Sequence, residues 1–225
     1  MKTIALSLAL LSFASSTFAI EKAELERRIH SLTSKFEALQ QKNPIPAENL
    51  GRAKGIVLLD RTKAGFLFAY QGGAGVAMVK DHLSDKWSPA AFLSANEASL
   101  GFQIGGQQAF IVILLMDTNA TRLLTEPSFE FGGEARGTAA ASSSGVEGKL
   151  SSNEQAVLVY DERKGLYGGV AIKGGAIAPD DEANRIYYEQ PVTMKDILFE
   201  NKVRPTEAIS ALAAKVTDYS KKAAK

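Results

Sequence analysis

The spacing of apolar residues changes along the chain, and each change marks an element. From Glu21 to Lys42, Leu25, Ile29, Leu32, Phe36 and Leu39 recur at alternating intervals of four and three. That spacing draws one apolar stripe along a helix and leaves charged residues on its other faces. Asn43-Pro-Ile-Pro46 ends the helix, because proline lacks an N–H and restricts the residue before it. A short helical turn over Ala47–Ala53 is expected next, with Pro46 near its first turn. The pattern then shortens. Gly55–Leu59, Gly65–Tyr70 and Gly75–Lys80 read as strands, joined by Asp60-Arg-Thr-Lys63 and Gln71-Gly-Gly-Ala74. Asp81–Lys86 is a polar loop, and Trp87–Phe92 leads toward the most apolar stretch of the chain.

That stretch, Leu100–Met116, organises the rest. Leu100, Phe102 and Ile104 alternate with Gly101, Gln103 and Gly105, as on a strand with two unlike faces. Ala109–Met116 is apolar without interruption. A run of this length rises about 26 Å as a strand but about 12 Å as a helix, too short to cross a hydrocarbon layer of about 30 Å. The β-branched Ile111, Val112 and Ile113 favour the strand. A strand apolar on both faces must be central and covered twice, so this pair is expected in the middle of the domain.

Asp117 suits a helix N-cap, for a short helix to about Thr125, and Pro127 follows as after a C-terminus. Ser128–Arg136 alternates again, and Gly137–Gly148 is small and polar. Ala156–Tyr160 and Leu166–Ile172 are two further strands. Pro179-Asp-Asp-Glu182 starts a helical turn, Met194–Phe199 is a short helix, and Pro205–Lys222 a longer one with Ile209, Leu212, Ala213 and Val216 on its apolar side. The sum is an α+β chain: a β-rich, antiparallel, sheet- or barrel-like domain flanked by N- and C-terminal helices. Its expected divisions are a signal peptide at 1–19, an amphipathic helix at 20–46, the β-rich domain at 47–190 and C-terminal helices at 191–225.

Composition narrows the chemistry. Cysteine is absent from the 225 residues, which removes disulfides, thiolate nucleophiles and cysteine metal sites. The two histidines, His30 and His82, sit far apart in unpromising contexts for a zinc centre or a serine triad. Gly72-Gly-Ala-Gly75 and Gly101…Gly105-Gly106 open no helix and lack the Lys-Ser/Thr of a phosphate loop, so they are expected to be bends or close strand contacts. Ser142-Ser-Ser-Gly145 is not a nucleophile elbow. Asp180, Asp181 and Glu182 suit a helix first turn better than a calcium loop. No catalysis, metal or cofactor is expected. The formal net charge of +1 lacks the basic excess of a nucleic-acid binder.

The first residues have the form of an export signal: Lys2, an apolar run Ile4–Phe13, and Thr17-Phe-Ala19 as the cleavage site. Cleavage after Ala19 and a periplasmic or secreted location are expected. Removing Lys2 from the 26 basic residues balances the 25 acidic ones. Two surfaces then qualify for binding. The stripe Leu25, Ile29, Leu32 and Phe36 is narrow enough to serve either a membrane or the protein's own body, and from pattern alone the latter is favoured. Lys63, Lys80, Lys86, Arg163, Lys164 and Lys173 fall at or near strand ends, where convergence would make a rim for anionic headgroups.

Seven short segments add a resemblance. Ala53-Lys-Gly55-Ile-Val, Lys63-Ala-Gly-Phe66, Gly72-Gly-Ala-Gly75-Val, Trp87-Ser-Pro-Ala90, Gly101-Phe-Gln-Ile-Gly105, Lys164-Gly-Leu166 and Asp181-Glu-Ala-Asn184-Arg-Ile-Tyr187 occur in the order of the SYLF lipid-binding domain. Together the chain resembles a bacterial exported member of that family over roughly Leu50–Tyr188. The resemblance implies a non-enzymatic lipid-binding module, met by anionic phospholipid at an amphipathic helix and nearby basic residues. The resemblance points here to the helix Glu21–Lys42 and to Lys54, so the lipid-binding candidates are Leu25, Ile29, Leu32, Phe36 and Lys54, joined by Lys63, Arg163 and Lys164 from the strand ends. Actin is not an expected partner of an exported protein, and a protein-interaction or scaffold role in the envelope is the alternative.

Overall fold

A computed structural model describes residues 21–60, 72–81, 83–96, 110–131, 156–161, 165–167 and 175–222. The helices are α1 (Lys22–Lys42), α2 (Ala47–Arg52), α3 (Thr118–Arg122), α4 (Asp181–Tyr188), α5 (Met194–Leu198) and α6 (Glu207–Lys221). The strands are β1 (Gly55–Asp60), β2 (Gly72–Val79), β3 (Ala91–Asn96), β4 (Phe110–Leu115), β5 (Phe129–Phe131), β6 (Val157–Asp161), β7 (Gly165–Tyr167) and β8 (Gly175–Pro179). They form one antiparallel sheet in the order β5-β8-β3-β2-β1-β4-β6-β7. The α+β class with an antiparallel sheet is thus what the chain adopts.

Strand β4 lies where its composition requires. It pairs with β1 on one side and β6 on the other, and all six of its residues are buried. Alternate residues enter different cores. Ile56, Leu58, Val76, Met78, Phe92, Val112 and Leu114 meet α1, α2, α4 and α6. Val57, Leu59, Ala77, Leu93, Ile111, Ile113 and Leu115 meet α3, a 3-10 turn at Leu123–Thr125, and α5. The sheet is the middle of three layers, which is why its central strands are apolar on both faces.

One glycine fixes the spacing of the centre. In β2, Gly75 pairs with Leu59 of β1 and Leu93 of β3. A Cβ placed there would lie 2.1 Å from the Leu58 carbonyl oxygen, which is backbone and cannot swing aside. Gly75→Ala is therefore expected to force the two strands apart and lower the melting temperature by many degrees, read by circular dichroism; an unchanged melt would refute the close approach.

Three features differ from the sequence reading. Gly72–Ala74, expected as a linker, begins β2 and pairs with Ser94–Asn96. Gly175–Pro179, not anticipated, pairs with both β3 and β5. The third concerns the first helix. Leu25, Ile29, Leu32 and Phe36 are fully enclosed, together with Leu39, between the sheet, α4 and α6. Each such side chain gains roughly 1.5–3 kcal/mol on full burial, so the stripe is part of the core. In this fold the four residues present nothing to a lipid, and the packing of the helix on its own body is the reading that holds. The strand expected at Gly65–Tyr70, the alternating Leu100–Gly105 and the small polar Gly137–Gly148 lie outside the described residues.

Polar clasps hold α1 along its length. Lys22 pairs with Glu189 at 2.6 Å, Lys35 with Asp60 at 2.5 Å, and Lys215 of α6 with Glu37 at 2.6 Å. The Phe36 ring meets Tyr219 edge-on at 5.7 Å. Tyr187 donates from its hydroxyl to Glu26 at 2.5 Å and lies 2.6 Å from the Thr206 hydroxyl, so one side chain ties α1, α4 and the N-cap of α6. Burial, followed by the bond to Glu26, pushes the Tyr187 hydroxyl well above the usual phenol range.

Candidate functional site

Several of the recognisable segments prove to be carpentry. Asp180 caps α4, accepting from the Ala183 N–H at 3.0 Å. Asn184, one turn on and fully buried, accepts from the Phe92 N–H at 2.7 Å and donates to the Phe92 carbonyl at 3.2 Å. It gives the Phe92 N–H a partner just past the β8 ladder and shares the Phe92 carbonyl with the Asp180 N–H, a demand set by the cost of burying unpaired backbone groups. Tyr188 donates to the Ala90 carbonyl at 2.6 Å. Ser88 accepts from the Val79 N–H at 3.1 Å and donates to the Pro89 carbonyl at 2.8 Å, which closes the turn between β2 and β3. Of these side chains, Asn184 and Ser88 are buried. Among the described residues there is also no cluster of three or more His, Asp or Glu suited to a metal.

The exposed candidate lies at one end of the sheet. Lys54 leads into β1, its N–H donating to the Leu115 carbonyl at 2.8 Å while its own carbonyl accepts from the Lys80 N–H at 2.8 Å. Its side chain is exposed. Beside it, the Lys80 ammonium donates to the Gly51 carbonyl at 2.9 Å, sits 5.0 Å from the Trp87 ring centre and 3.7 Å from Asp85. Its side chain is only 6% exposed. Burial lowers the Lys80 pKa; Asp85 works against that and Lys54 adds to it. Lys80 and Trp87 thus form a rigid clamp between α2 and the β2–β3 turn, held by a cation over an aromatic face. Lys86 stands exposed in the same turn, and Arg52, paired with Glu48 at 3.8 Å, closes α2. The last turn of α6 is adjacent: the Ser220 carbonyl lies 3.9 Å from where a Cβ on Gly51 would be. Lys221 and Lys222 there are exposed, with the Lys222 ammonium 4.0 Å from the Tyr219 ring centre.

Of the expected site residues, Lys54 is therefore on this end, with Lys80 and Lys86 from the wider set of strand-end lysines. Lys63, Arg163 and Lys164 lie outside the described residues. The strands that precede them finish elsewhere: β1 ends at Asp60 and β6 at Asp161, both at the Phe110 end of β4, whereas Lys54 sits at the Leu115 end. Arg52, Lys221 and Lys222 went unnoticed in the sequence. A short helix and a chain terminus carry no periodic signal that would bring them to the same place.

Residues 96–219 match the family described as Ysc84, Las17-binding protein actin regulator. The chain belongs to the Ysc84 family. This is the SYLF resemblance carried by the seven segments. Over 193 residues the chain is 30% identical to SH3 domain-containing YSC84-like protein 1 of Homo sapiens, covering 83% of this chain and 56% of that one. Over 173 residues it is 32% identical to LAS seventeen-binding protein 3 of Saccharomyces cerevisiae, covering 75% and 37%. Over 159 residues it is 33% identical to Protein YSC84 of the same yeast, covering 68% and 34%. The chain thus spans about half the length, or less, of these Ysc84 relatives. The family description speaks of Las17 binding and actin regulation, and one yeast relative is named for binding LAS seventeen. The expectation that actin is not a partner now stands beside relatives of a family described as an actin regulator.

Proposed function

We propose that this chain is a non-enzymatic interaction module that works through a protein partner in the bacterial envelope, the scaffold role raised by the sequence. One observation carries the reading: relatives up to 33% identical are named for a protein they bind or belong to a family described as Las17-binding. The enclosure of the α1 stripe supports it, because the surface best suited to lipid insertion is occupied by the protein's own core. The export-signal pattern of residues 1–19 supports the location, and protein recovered from the periplasm should then have the mass of a chain starting at Ile20. The partner is tested by a photo-crosslinking amino acid placed at exposed positions, Lys54 and Ser210 among them, in cells producing the chain. The expected result is one predominant adduct from one face, identified by mass. No discrete adduct from any face, or adducts spread evenly over all, would remove the reading. Co-sedimentation with filamentous actin is the companion arm.

A second reading has its own observation. The end formed by Lys54, Lys80 and Lys86, with Arg52, Lys221 and Lys222, supports binding to anionic phospholipid by charge. Formal neutrality of the chain without Lys2 makes the expected attraction short-ranged, confined to this end.

A further inference from the structure

The turn between β2 and β3 is built to hold one apolar side chain in water. Asp81 accepts from the Leu83 N–H at 3.1 Å, the Ser84 N–H at 2.7 Å and the Ser84 hydroxyl at 2.8 Å. The Asp81 N–H donates to the Lys86 carbonyl at 2.8 Å, and the Asp85 N–H to the Asp81 carbonyl at 2.9 Å. Asp85 takes a positive φ of 54°, which turns the chain back toward Lys86. These bonds leave Leu83 at the tip, 84% exposed, the most exposed large apolar residue described. Lone surface leucines are ordinary. This one stands on a turn held by the bonds to Asp81, with the Lys80–Trp87 clamp at its base and Lys86 in the same turn.

Charge around the tip is lopsided. Glu48 is engaged with Arg52, Asp85 with Lys80, and Asp81 with the turn itself. Lys54 and Lys86 have no ion-pair partner among the described residues, and Lys221 and Lys222 add to the same end. A projecting apolar tip with Lys54 and Lys86 on the same end of the sheet fits a flat surface that is apolar beneath and negative on top. We infer that the Leu83 tip enters the interface of an anionic phospholipid bilayer while Lys54 and Lys86 meet the headgroup phosphates. This rests on the second reading above and names its contact, which differs from the α1 stripe and from the strand-end residues Lys63, Arg163 and Lys164.

Absence of cysteine permits a clean test. The chain is made with Leu83→Cys, or with Ser210→Cys on exposed α6 as control, and labelled with a polarity-sensitive fluorophore. Emission from position 83 should shift to the blue with phosphatidylglycerol vesicles and stay put with phosphatidylcholine vesicles; position 210 should not respond. In sedimentation with the same vesicles, Leu83→Ser should weaken binding about tenfold, and Lys54→Glu with Lys86→Glu should weaken it about a hundredfold. Melting temperatures should not change, since all three side chains are exposed. If the unaltered chain ignores anionic vesicles, the lipid reading falls and this contact with it. If it binds them while the position-83 label stays unshifted and both variants bind as before, the lipid reading survives and this contact is refuted.

Discussion

Ile113→Asp is expected to give insoluble or unfolded protein. Ile113 sits midway along β4, paired with Val57 on one side and Val159 on the other, and has no exposed surface. Its side chain packs in the layer shared with α3 and α5. A carboxylate there has no cation to meet and no water to solvate it. An unpaired buried charge costs several kcal/mol, set against roughly 5–15 kcal/mol for the whole stability of a domain. Soluble yield and the circular-dichroism melt are the measurements. A cooperative transition near that of the unaltered chain would mean that β4 is not the covered centre of the sheet.

The second large effect separates the two roles once open to the first helix. Ile29→Asp with Phe36→Asp places two charges on the enclosed side of α1 and removes the Phe36 contact with Tyr219. Loss of a buried Phe side chain alone costs about 3–5 kcal/mol, before any penalty for the new charge. The melting temperature should fall by many degrees, or folding should fail. A variant that melts normally but no longer sediments with anionic vesicles would show instead that the stripe faces outward in solution.

Sequence and structure agree where a residue's neighbours in the chain decide its fate. The N-cap of Asp117, the stop at Asn43-Pro-Ile-Pro46 and the covered strand at Phe110–Leu115 depend on local bonding or on an unbroken apolar run. Gly175–Pro179 is not legible in the sequence because its strand pairing is wholly long-range: Ile177 meets Ala95 and Phe129, and nothing in one isoleucine among small residues and a proline announces that. Gly72–Ala74 misled in the opposite sense. Its glycines resemble a turn, yet they carry on the pairing of β2 with Ser94–Asn96 of β3. The α1 stripe was visible residue by residue, yet a stripe does not say what covers it; that depends on Leu212 and Val216, far along the chain. Convergence of Lys54 with Lys80 was hidden for the same reason, since only the antiparallel register of β1 and β2 brings Gly55 opposite Val79.

The clasps on α1 also bear on the order of events during synthesis. Lys22 waits for Glu189, 167 residues later, and Glu26 for Tyr187, 161 residues later. Leu25 and its companions close against Leu212 and Val216, far downstream in the chain. The helix is therefore made long before its cover. Its apolar side stays open while the sheet strands that lie between are translated, and contacts of such long sequence separation form slowly. For most of that interval the chain has no finished core to resist threading through a narrow channel, and the same open side is what a holding chaperone would grip.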